Sequence, residues 1–167
     1  CGRTLQLADA PSAPLPGDPI DGAAEVLLTG RILALKGIGG FQLLVDASRG
    51  DSVRRLRLLK RREGKPFAVM FPSIEDVRRH CRVDPREESL LLDAASPIVL
   101  LRPGDDSDLA AEVSMASPHV GAMLPYSPLH HLLLRRVGRG LVGTSGDRSE
   151  EPIATENNEA LEALGGI

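Results

Sequence analysis

The 167-residue chain has room for one domain, and its 42% hydrophobic and 26% charged residues are ordinary for a globular protein. Its net charge of −3, with no Trp, one Tyr and three Phe, argues against a surface that binds long polyanions or stacks single-stranded bases, which disfavours RNA as a partner. No apolar run approaches the ~20 residues of a membrane span and no signal peptide is visible, so we expect a cytoplasmic protein that binds no membrane. The two cysteines, Cys1 and Cys81, form neither a CxxC pair nor a metal-binding spacing, which suits a reducing compartment.

The first part of the chain contains one helix pattern and two strand patterns. Residues 1–17 are rich in proline and small residues and read as a lead-in, and the domain itself spans 18–167. Asp18-Pro19 opens a helix whose apolar residues recur at helical spacing, and Gly30 ends it. Short β-type runs follow at 31–36 and 41–46.

Helices and strands alternate through the rest of the chain, though not strictly. We predict helices at 51–62, 73–81 (opened by a capping box at Ser73 and Asp76), 85–92, 128–137 and 156–164. We predict strands at 66–71, 98–102, 120–124 and 141–144. The polar stretch 103–118 is long for a structureless loop and is therefore functional or mobile. The pattern indicates an α/β domain with a twisted, mixed β-sheet and flanking helices.

A basic cluster ends the helix at 51–62. Seven of the twelve residues from Arg54 to Lys65 are basic, and the single acid is Glu63. Cations are favourable near a helix C-terminus, which alone could explain the run. However, so many like charges repel one another, and a phosphate would relieve that cost because Arg offers a bidentate fork and Lys a point charge. Lys60 and Arg62, with Lys65 at the next strand start, are placed to converge on one anion.

A glycine-rich segment, Lys36-Gly37-Ile38-Gly39-Gly40-Phe41, joins the first two strands. It lacks the GK[ST] ending of a Walker A loop, and it joins two strands, so it is not a dinucleotide fingerprint. One interpretation is a tight turn with glycines at positive φ. The other is close approach of the backbone to a ligand, with Lys36 pointing into the same pocket.

Polar residues follow the last predicted strand. Thr144, Ser145, Asp147 and Ser149 stand where open α/β sheets bind ligands, at the end of a strand. Ordinary turn chemistry explains the same residue types equally simply. The pair His130-His131 invites a metal or catalytic interpretation, but adjacent helical residues point in different directions and no third ligand is near in sequence. We assign that pair a structural role.

Taken together, these segments resemble a known family. In order along the chain they are KGIGGFQLLVDA, LKRREGKPFAVM, SPIVLLRP, GAMLPYSPLHHLLL and GTSGDRSEEPI, and they resemble the YrdC-like domain of HypF-type hydrogenase maturation carbamoyltransferases from about Asp18 to the end. The resemblance implies a twisted α/β sheet with a concave, positively charged face. Cys1-Gly2 looks like the tail of a zinc-binding segment, so the chain looks cut from a longer protein. Cys1 would then be an orphaned zinc ligand, and zinc is expected only in the full-length protein.

The resemblance also implies a reaction. In the family, carbamoyl phosphate is hydrolysed in an acylphosphatase-like domain, and the YrdC-like domain joins the resulting carbamate to AMP from ATP, releasing pyrophosphate. A further domain passes the carbamoyl group to the C-terminal cysteine of HypE. The expected ligands are therefore ATP, Mg²⁺ and carbamate or carbamoyl phosphate, with HypE as the protein partner of the full-length chain.

Carried over residue by residue, the family's K-x-R motif falls on Lys60 and Arg62, which are the expected catalytic residues. The expected nucleotide-binding residues are Lys36, Gly39, Gly40, Lys65, Thr144, Ser145, Asp147 and Ser149. The expected substrate-pocket residues are Phe41, Pro125 and Tyr126.

Two positions depart from the family pattern. Asp147 stands where Asn is usual, and its charge should weaken ATP binding unless Mg²⁺ or Arg148 compensates; Gln42 stands where His is usual. The main rival is threonylcarbamoyl-adenylate synthase, in which the first motif reads PTxTxYGL rather than LKGIGGF. An antibiotic O-carbamoyltransferase and a non-catalytic nucleotide- or RNA-binding module are further alternatives.

Overall fold

A computed structural model describes residues 5–9, 13–37, 40–62 and 64–146. The predicted helix at 156–164 and the proposed zinc ligand Cys1 lie outside the described residues. No helix in these ranges is long and apolar enough to cross a membrane.

The elements predicted within the described residues appear in the predicted order, together with four short elements that the sequence did not predict. The helices are α1 (Pro19–Leu28), α2 (Gly50–Leu59), α3 (Ile74–His80), α4 (Pro85–Leu91), α5 (Ala111–Ser114) and α6 (Pro128–Val137). The strands are β1 (Ala8–Asp9), β2 (Ala13–Pro14), β3 (Leu33–Gly37), β4 (Gly40–Asp46), β5 (Ala68–Met70), β6 (Cys81–Arg82), β7 (Val99–Pro103), β8 (Val120–Met123) and β9 (Leu141–Ser145).

Seven strands form one mixed sheet in the order β3-β4-β9-β5-β8-β7-β6. Its neighbouring strands are antiparallel except β5 and β8, which run parallel. β1 and β2 form a separate two-stranded ribbon. The predicted mixed sheet with flanking helices is therefore confirmed.

Hydrophobic side chains pack on both faces of this sheet. Because successive strand residues face opposite sides, Leu43 and Val45 of β4 join one core, whereas Leu44 joins the other. The first core takes residues from α2, α3, α4 and α5, and the second takes residues from α1 and α6. The sheet is thus covered on both sides, and its functional groups lie at the strand ends.

Helix starts follow the capping residues in the sequence. Asp18 caps α1 and Ser127 caps α6 with side-chain oxygens, each followed by proline in the first turn. The reciprocal capping box predicted at Ser73 is wrong in part, because the Ser73 hydroxyl accepts from the Asp76 amide and also donates to the Asp76 carboxylate. The reciprocal box lies instead at Asp84 and Glu87 of α4.

The polar stretch 103–118 is built into the fold. It contains α5, whose Val113 is fully buried, and the Val113 carbonyl accepts a hydrogen bond from the Phe67 amide at 2.9 Å. The amide of Ala110 donates to the carbonyl of Ala47, also at 2.9 Å. The segment therefore packs against the sheet beside α2.

Candidate functional site

Several predicted site residues that the structure describes lie at one end of the sheet, where β9 ends and β4 begins. Register pairs Ser145 with Gln42 and Thr144 with Leu43 across these strands. The turn is closed by the Gly146 amide, which donates to the Phe41 carbonyl at 2.7 Å. A Cβ added at Gly146 would stand 2.8 Å from the Cβ of Phe41, so this close approach requires glycine.

Lys60 connects the end of α2 to this edge. Its side chain is 5% exposed, and its Nζ donates to the Ser145 carbonyl at 3.0 Å. The contact joins two motifs that are 85 residues apart in sequence. Sequence predicted both residues for the site, and the fold brings them together.

The turn after α2 sets the direction of the basic side chains. The Arg61 amide donates to the Leu58 carbonyl and the Arg62 amide to the Arg57 carbonyl, which is the hydrogen-bond pattern of a Schellman motif. Arg61 takes the left-handed conformation at φ 47°, a position usually given to glycine. A non-glycine residue held there costs of order 1 kcal/mol, and it turns the chain sharply between Lys60 and Arg62.

Arg57 fixes the loop that carries Arg62 and Lys65. Its guanidinium donates to four backbone carbonyls, at 2.6 Å (Glu112), 2.9 Å (Arg62), 3.0 Å (Lys65) and 3.2 Å (Val113). Burial, and after it the charge of Arg62, lower the pKa of the Arg57 guanidinium from its ordinary value. Arg57 thus has a structural role: it connects α5 to the loop that carries Arg62 and Lys65.

Arg62 lies on the same loop and also binds backbone. Its Nε donates to the Lys65 carbonyl at 3.3 Å and its Nη2 to the Pro66 carbonyl at 2.7 Å. The guanidinium lies 5.0 Å from the Phe67 ring centroid, and that of Arg57 lies 4.7 Å from the same centroid. The Nε–Nη2 side of the Arg62 guanidinium is therefore occupied by backbone carbonyls, so a phosphate would bind at its Nη1–Nη2 end.

The basic cluster divides into two parts. Arg54 forms an ion pair with Glu112, and Arg55 donates to the Gly30 carbonyl, so these cations, like Arg57, have partners within the protein. The part placed to meet a ligand is the helix end with Lys60, Arg62 and Lys65, although Lys60 and Arg62 also donate to backbone carbonyls. The repulsion among the seven cations is therefore partly relieved within the protein itself.

The glycine-rich turn between β3 and β4 is partly described. Gly40 is buried with φ at 120°, which a residue with a side chain rarely adopts. Lys36 is exposed, and its Nζ lies 5.7 Å from the centroid of the half-buried Phe41 ring. Antiparallel pairing of Lys36 with Phe41 puts both side chains on the α2 face of the sheet, the face of Leu43 and Thr144. Gly39 lies outside the described residues.

The polar segment after β9 is described only to Gly146. Thr144 and Ser145 are half-buried at the strand end, as predicted. Asp147 and Ser149 lie outside the described residues, as does Arg148. Lys65 is exposed on the loop that precedes β5.

A chain of polar side chains crosses the other face of the same edge. His130 is 2% exposed, its Nδ1 lies 2.6 Å from the Ser127 hydroxyl, and its Nε2 lies 2.8 Å from Oε1 of Gln42. The Gln42 Nε2 donates to the Tyr126 hydroxyl. The rings of Tyr126 and His130 are tilted against each other with centroids 4.6 Å apart. We call these four residues the Gln42 relay.

The other predicted pocket residue and the second histidine lie beside this relay. Pro125 is buried and Tyr126 is 44% exposed, so only the tyrosine of the predicted pair reaches the surface. His131 is exposed, which confirms that the two histidines point in different directions. Burial, and after it the charge of His131, lower the pKa of His130 from its ordinary value.

Two features of this edge escape sequence reasoning. Arg57 reads in the sequence as one cation among seven, although its partners are backbone carbonyls that no side-chain pattern reveals. Gln42 reads as a departure from the family pattern, and its contact with His130 spans 88 residues. The one local indication in the sequence is the start of α6, where the N-cap Ser127 is followed by proline and its hydroxyl lies near His130.

The described residues hold no evident metal centre. Among residues 5–9, 13–37, 40–62 and 64–146, no three His, Cys, Asp or Glu side chains lie close enough to hold an ion.

Comparison with known proteins agrees with this architecture. A model of the family named Sua5, YciO and YrdC, described as telomere recombination, matches residues 25–167. Carbamoyltransferase HypF of Rhodobacter capsulatus is 48% identical over 164 residues, which are 98% of this chain and 22% of that protein. A full-length HypF crystallised in the phosphate- and nucleotide-bound form superposes with a TM-score of 0.86 at 46% identity, over 90% of this chain and 20% of that one.

A more distant structure shows the same fold. The Sua5 of P. abyssi, crystallised with L-threonine, superposes with a TM-score of 0.77 at 18% identity, over 89% of this chain and 44% of that one. The chain thus spans about a fifth of the length of its HypF relatives. It belongs to the Sua5/YciO/YrdC family, and within that family it resembles the corresponding domain of the HypF carbamoyltransferases.

Proposed function

We propose that this domain forms carbamoyl adenylate from ATP and carbamate within a HypF-type carbamoyltransferase. The observation that carries the proposal is the 3.0 Å contact between Lys60 Nζ and the Ser145 carbonyl, because it joins the K-x-R segment to the polar strand end. The likeness to carbamoyltransferases along 98% of the chain supports the choice of reaction. The nucleotide-bound form of a HypF with the same fold supports ATP as the ligand.

The chemistry needs positioning and charge rather than a nucleophilic side chain. A carbamate oxygen attacks the α-phosphorus, a new O–P bond forms, and the bond to the β-phosphate bridging oxygen breaks to release pyrophosphate. Negative charge builds on the phosphate oxygens during this step. Lys60, held at the strand end, and the Nη1–Nη2 end of Arg62 are the cations that would stabilise it, with Lys36 and Lys65 nearby on the same edge.

Mg²⁺ is expected to travel with the nucleotide. Mg²⁺ is usually bound through substrate phosphates together with one or two carboxylates, so the nucleotide itself would supply ligands. The ion would supply positive charge that partly neutralises the triphosphate. Lys60 and Arg62 then act on the charge that develops during attack.

The longer protein would provide the substrate and the acceptor. We expect carbamate to come from carbamoyl phosphate in an acylphosphatase-like domain, and the carbamoyl group to pass to the C-terminal cysteine of HypE. Zinc, with Cys1 as one ligand, and a cytoplasmic location belong to the same proposal.

Pyrophosphate release tests the reaction directly. The chain is supplied with ATP and Mg²⁺, and with carbamate in ammonium bicarbonate solution or with L-threonine and bicarbonate. We expect release with carbamate only. Lys60→Met, which keeps the aliphatic stem, should reduce turnover about 100-fold, the usual effect of losing one transition-state donor. Arg54→Met removes an equal charge from the same helix at an exposed ion pair and should retain activity.

The other outcomes are equally informative. Release with threonine only would place the chain with the threonylcarbamoyl-adenylate synthases. If neither substrate supports release, calorimetry with ATP and Mg²⁺ decides between a nucleotide site that needs its neighbouring domains and a module that binds no nucleotide.

A further inference from the structure

The Gln42 relay has a defined hydrogen-bond direction. Gln42 presents its carbonyl oxygen Oε1 to His130, so the Nε2 of His130 carries the hydrogen that forms this 2.8 Å bond. The Nδ1 of a neutral imidazole is then a lone pair, and the Ser127 hydroxyl donates to it at 2.6 Å. The Ser127 oxygen in turn accepts from the His130 amide at 3.4 Å, which fixes its hydroxyl direction.

This order determines what Tyr126 can do. The amide nitrogen of Gln42 donates to the Tyr126 hydroxyl oxygen, so the oxygen acts as the acceptor in that bond. The hydroxyl hydrogen is therefore directed to an acceptor outside the relay. Because Tyr126 is 44% exposed while His130 is 2% exposed, the relay runs from the interior to the surface and ends in a donor.

The relay ends beside the predicted phosphate site. Gln42 is the direct partner of Ser145 in the β4–β9 register, so both side chains stand on the same face of the sheet, about 5 Å apart at Cβ. Lys60 holds the carbonyl of the same Ser145. A group joined to the α-phosphate at Ser145 would lie within reach of the Tyr126 hydroxyl.

We propose that Gln42 and His130 are positioning residues that aim the Tyr126 hydroxyl as a hydrogen-bond donor at an oxygen of the carbamate. The proposal rests on the proposed function and adds the residues that select its second substrate. A hydroxyl donor suits a small carboxylate-like anion because a bond to a charged acceptor is shorter and stronger than a neutral one. Every member of the relay is neutral, so the donor is presented without a counter-charge that would also attract phosphate.

Neutrality of the relay depends on its surroundings. Burial is the main cause of the lowered pKa of His130, and the adjacent His131 on the same helix contributes. Tyr126 and Gln42 are the groups that face it from the other elements. The histidine therefore stays an uncharged donor at neutral pH.

Three variants separate positioning from simple packing. Tyr126→Phe removes the donor and should raise the KM for carbamate about tenfold, the loss of one hydrogen bond to a charged group. Gln42→Glu keeps the shape of the side chain, but a carboxylate only accepts hydrogen bonds. The Tyr126 hydroxyl should then donate to this carboxylate instead of to the carbamate, and the KM for carbamate should rise to a similar extent. Gln42→Met adds no charge and should also raise the KM, with the affinity for ATP unchanged in each case.

The decisive measurement is the coupling between the two positions. If Gln42 acts through Tyr126, Gln42→Met in the Tyr126→Phe background should change the KM for carbamate less than twofold. Nitrogen NMR of the labelled chain should show His130 protonated at Nε2 and unprotonated at Nδ1. Additive effects of the two substitutions, or the opposite tautomer, would overturn the proposal.

Failure of the underlying function gives a different result. If the unmodified chain releases pyrophosphate with threonine only, or neither releases pyrophosphate nor binds ATP, the carbamate assignment falls with the proposed function. The tautomer measurement needs no turnover, so it still decides whether the hydrogen bonds of the relay run from Ser127 through His130 and Gln42 to Tyr126.

Discussion

Replacing Arg57 by Met should destabilise the domain severely, although Arg57 touches no predicted ligand. The side chain is 7% exposed and donates to four backbone carbonyls, those of Glu112, Arg62, Lys65 and Val113. Methionine fills a similar volume but offers no donor. The substitution thus removes the guanidinium donor from all four carbonyls. Those of Val113 and Lys65 keep the Phe67 amide and Arg62 Nε as donors, whereas those of Glu112 and Arg62 lose their side-chain donor.

The size of the effect follows from those bonds. A hydrogen bond from a charged donor contributes about 1.5–3 kcal/mol, and water can replace only the partners that open to solvent. We therefore expect a loss of about 4 kcal/mol in the free energy of unfolding, within the range for breaking a buried charged network. The stability of Arg57→Lys should lie between those of the unmodified chain and Arg57→Met. An ammonium has three donors and cannot reach four carbonyls on two segments.

Guanidinium unfolding followed by circular dichroism measures this loss. With a slope of about 4 kcal/mol per molar, the midpoint should fall by about 1 M. Arg54→Met is the matched control, since it removes an exposed ion pair from the same helix and should cost less than about 1 kcal/mol. A loss of similar size in both variants would refute the reasoning and show that water or other protein donors satisfy these carbonyls.

Two further predictions concern buried titratable groups. Burial, with a contribution from Glu87, raises the pKa of the Cys81 thiol to about 11, so about one thiol in a thousand is ionised at pH 8. In a Cys1→Ser background, labelling of Cys81 by a disulfide reagent should need unfolding, and rapid labelling of the native chain would contradict this. Because the pKa of His130 is lowered on folding, its contribution to stability is complete above about pH 6.5 and is lost as the pH falls below it. Unfolding midpoints from pH 7.5 to 5 should fall, and His130→Gln should remove most of that slope; an unchanged slope would mean that other groups cause it.

Long elements could be predicted from the sequence because their signals are local. The helix at Pro128–Val137 has the predicted bounds, since Ser127, a first-turn proline and Gly138 mark both of its ends. The short elements could not be predicted. The four-residue helix α5 and the two-residue strand β6 have no periodicity of their own and form because they pack on neighbours.

The site follows the same division. The helix end with Lys60 and the strand end with Ser145 are visible in the sequence, and the structure brings them into contact. The contacts that orient these residues are not visible in the sequence, because Arg57 binds backbone carbonyl oxygens, which every residue possesses. Likewise, nothing local to Gln42 reveals His130, whose hydrogen bond to it depends on the register of β4 and the docking of α6.

The end of β9 is held from both faces of the sheet. From the α2 face, Lys60 binds the Ser145 carbonyl and so fixes the backbone of the strand end. On the α6 face, Gln42 stands beside the Ser145 side chain and is itself fixed by His130. An adenylate bound at Ser145 would therefore meet cations from one face and an oriented neutral donor from the other. This asymmetry suits the proposed reaction, because the highly charged nucleotide needs more compensating positive charge than the small, singly charged acid.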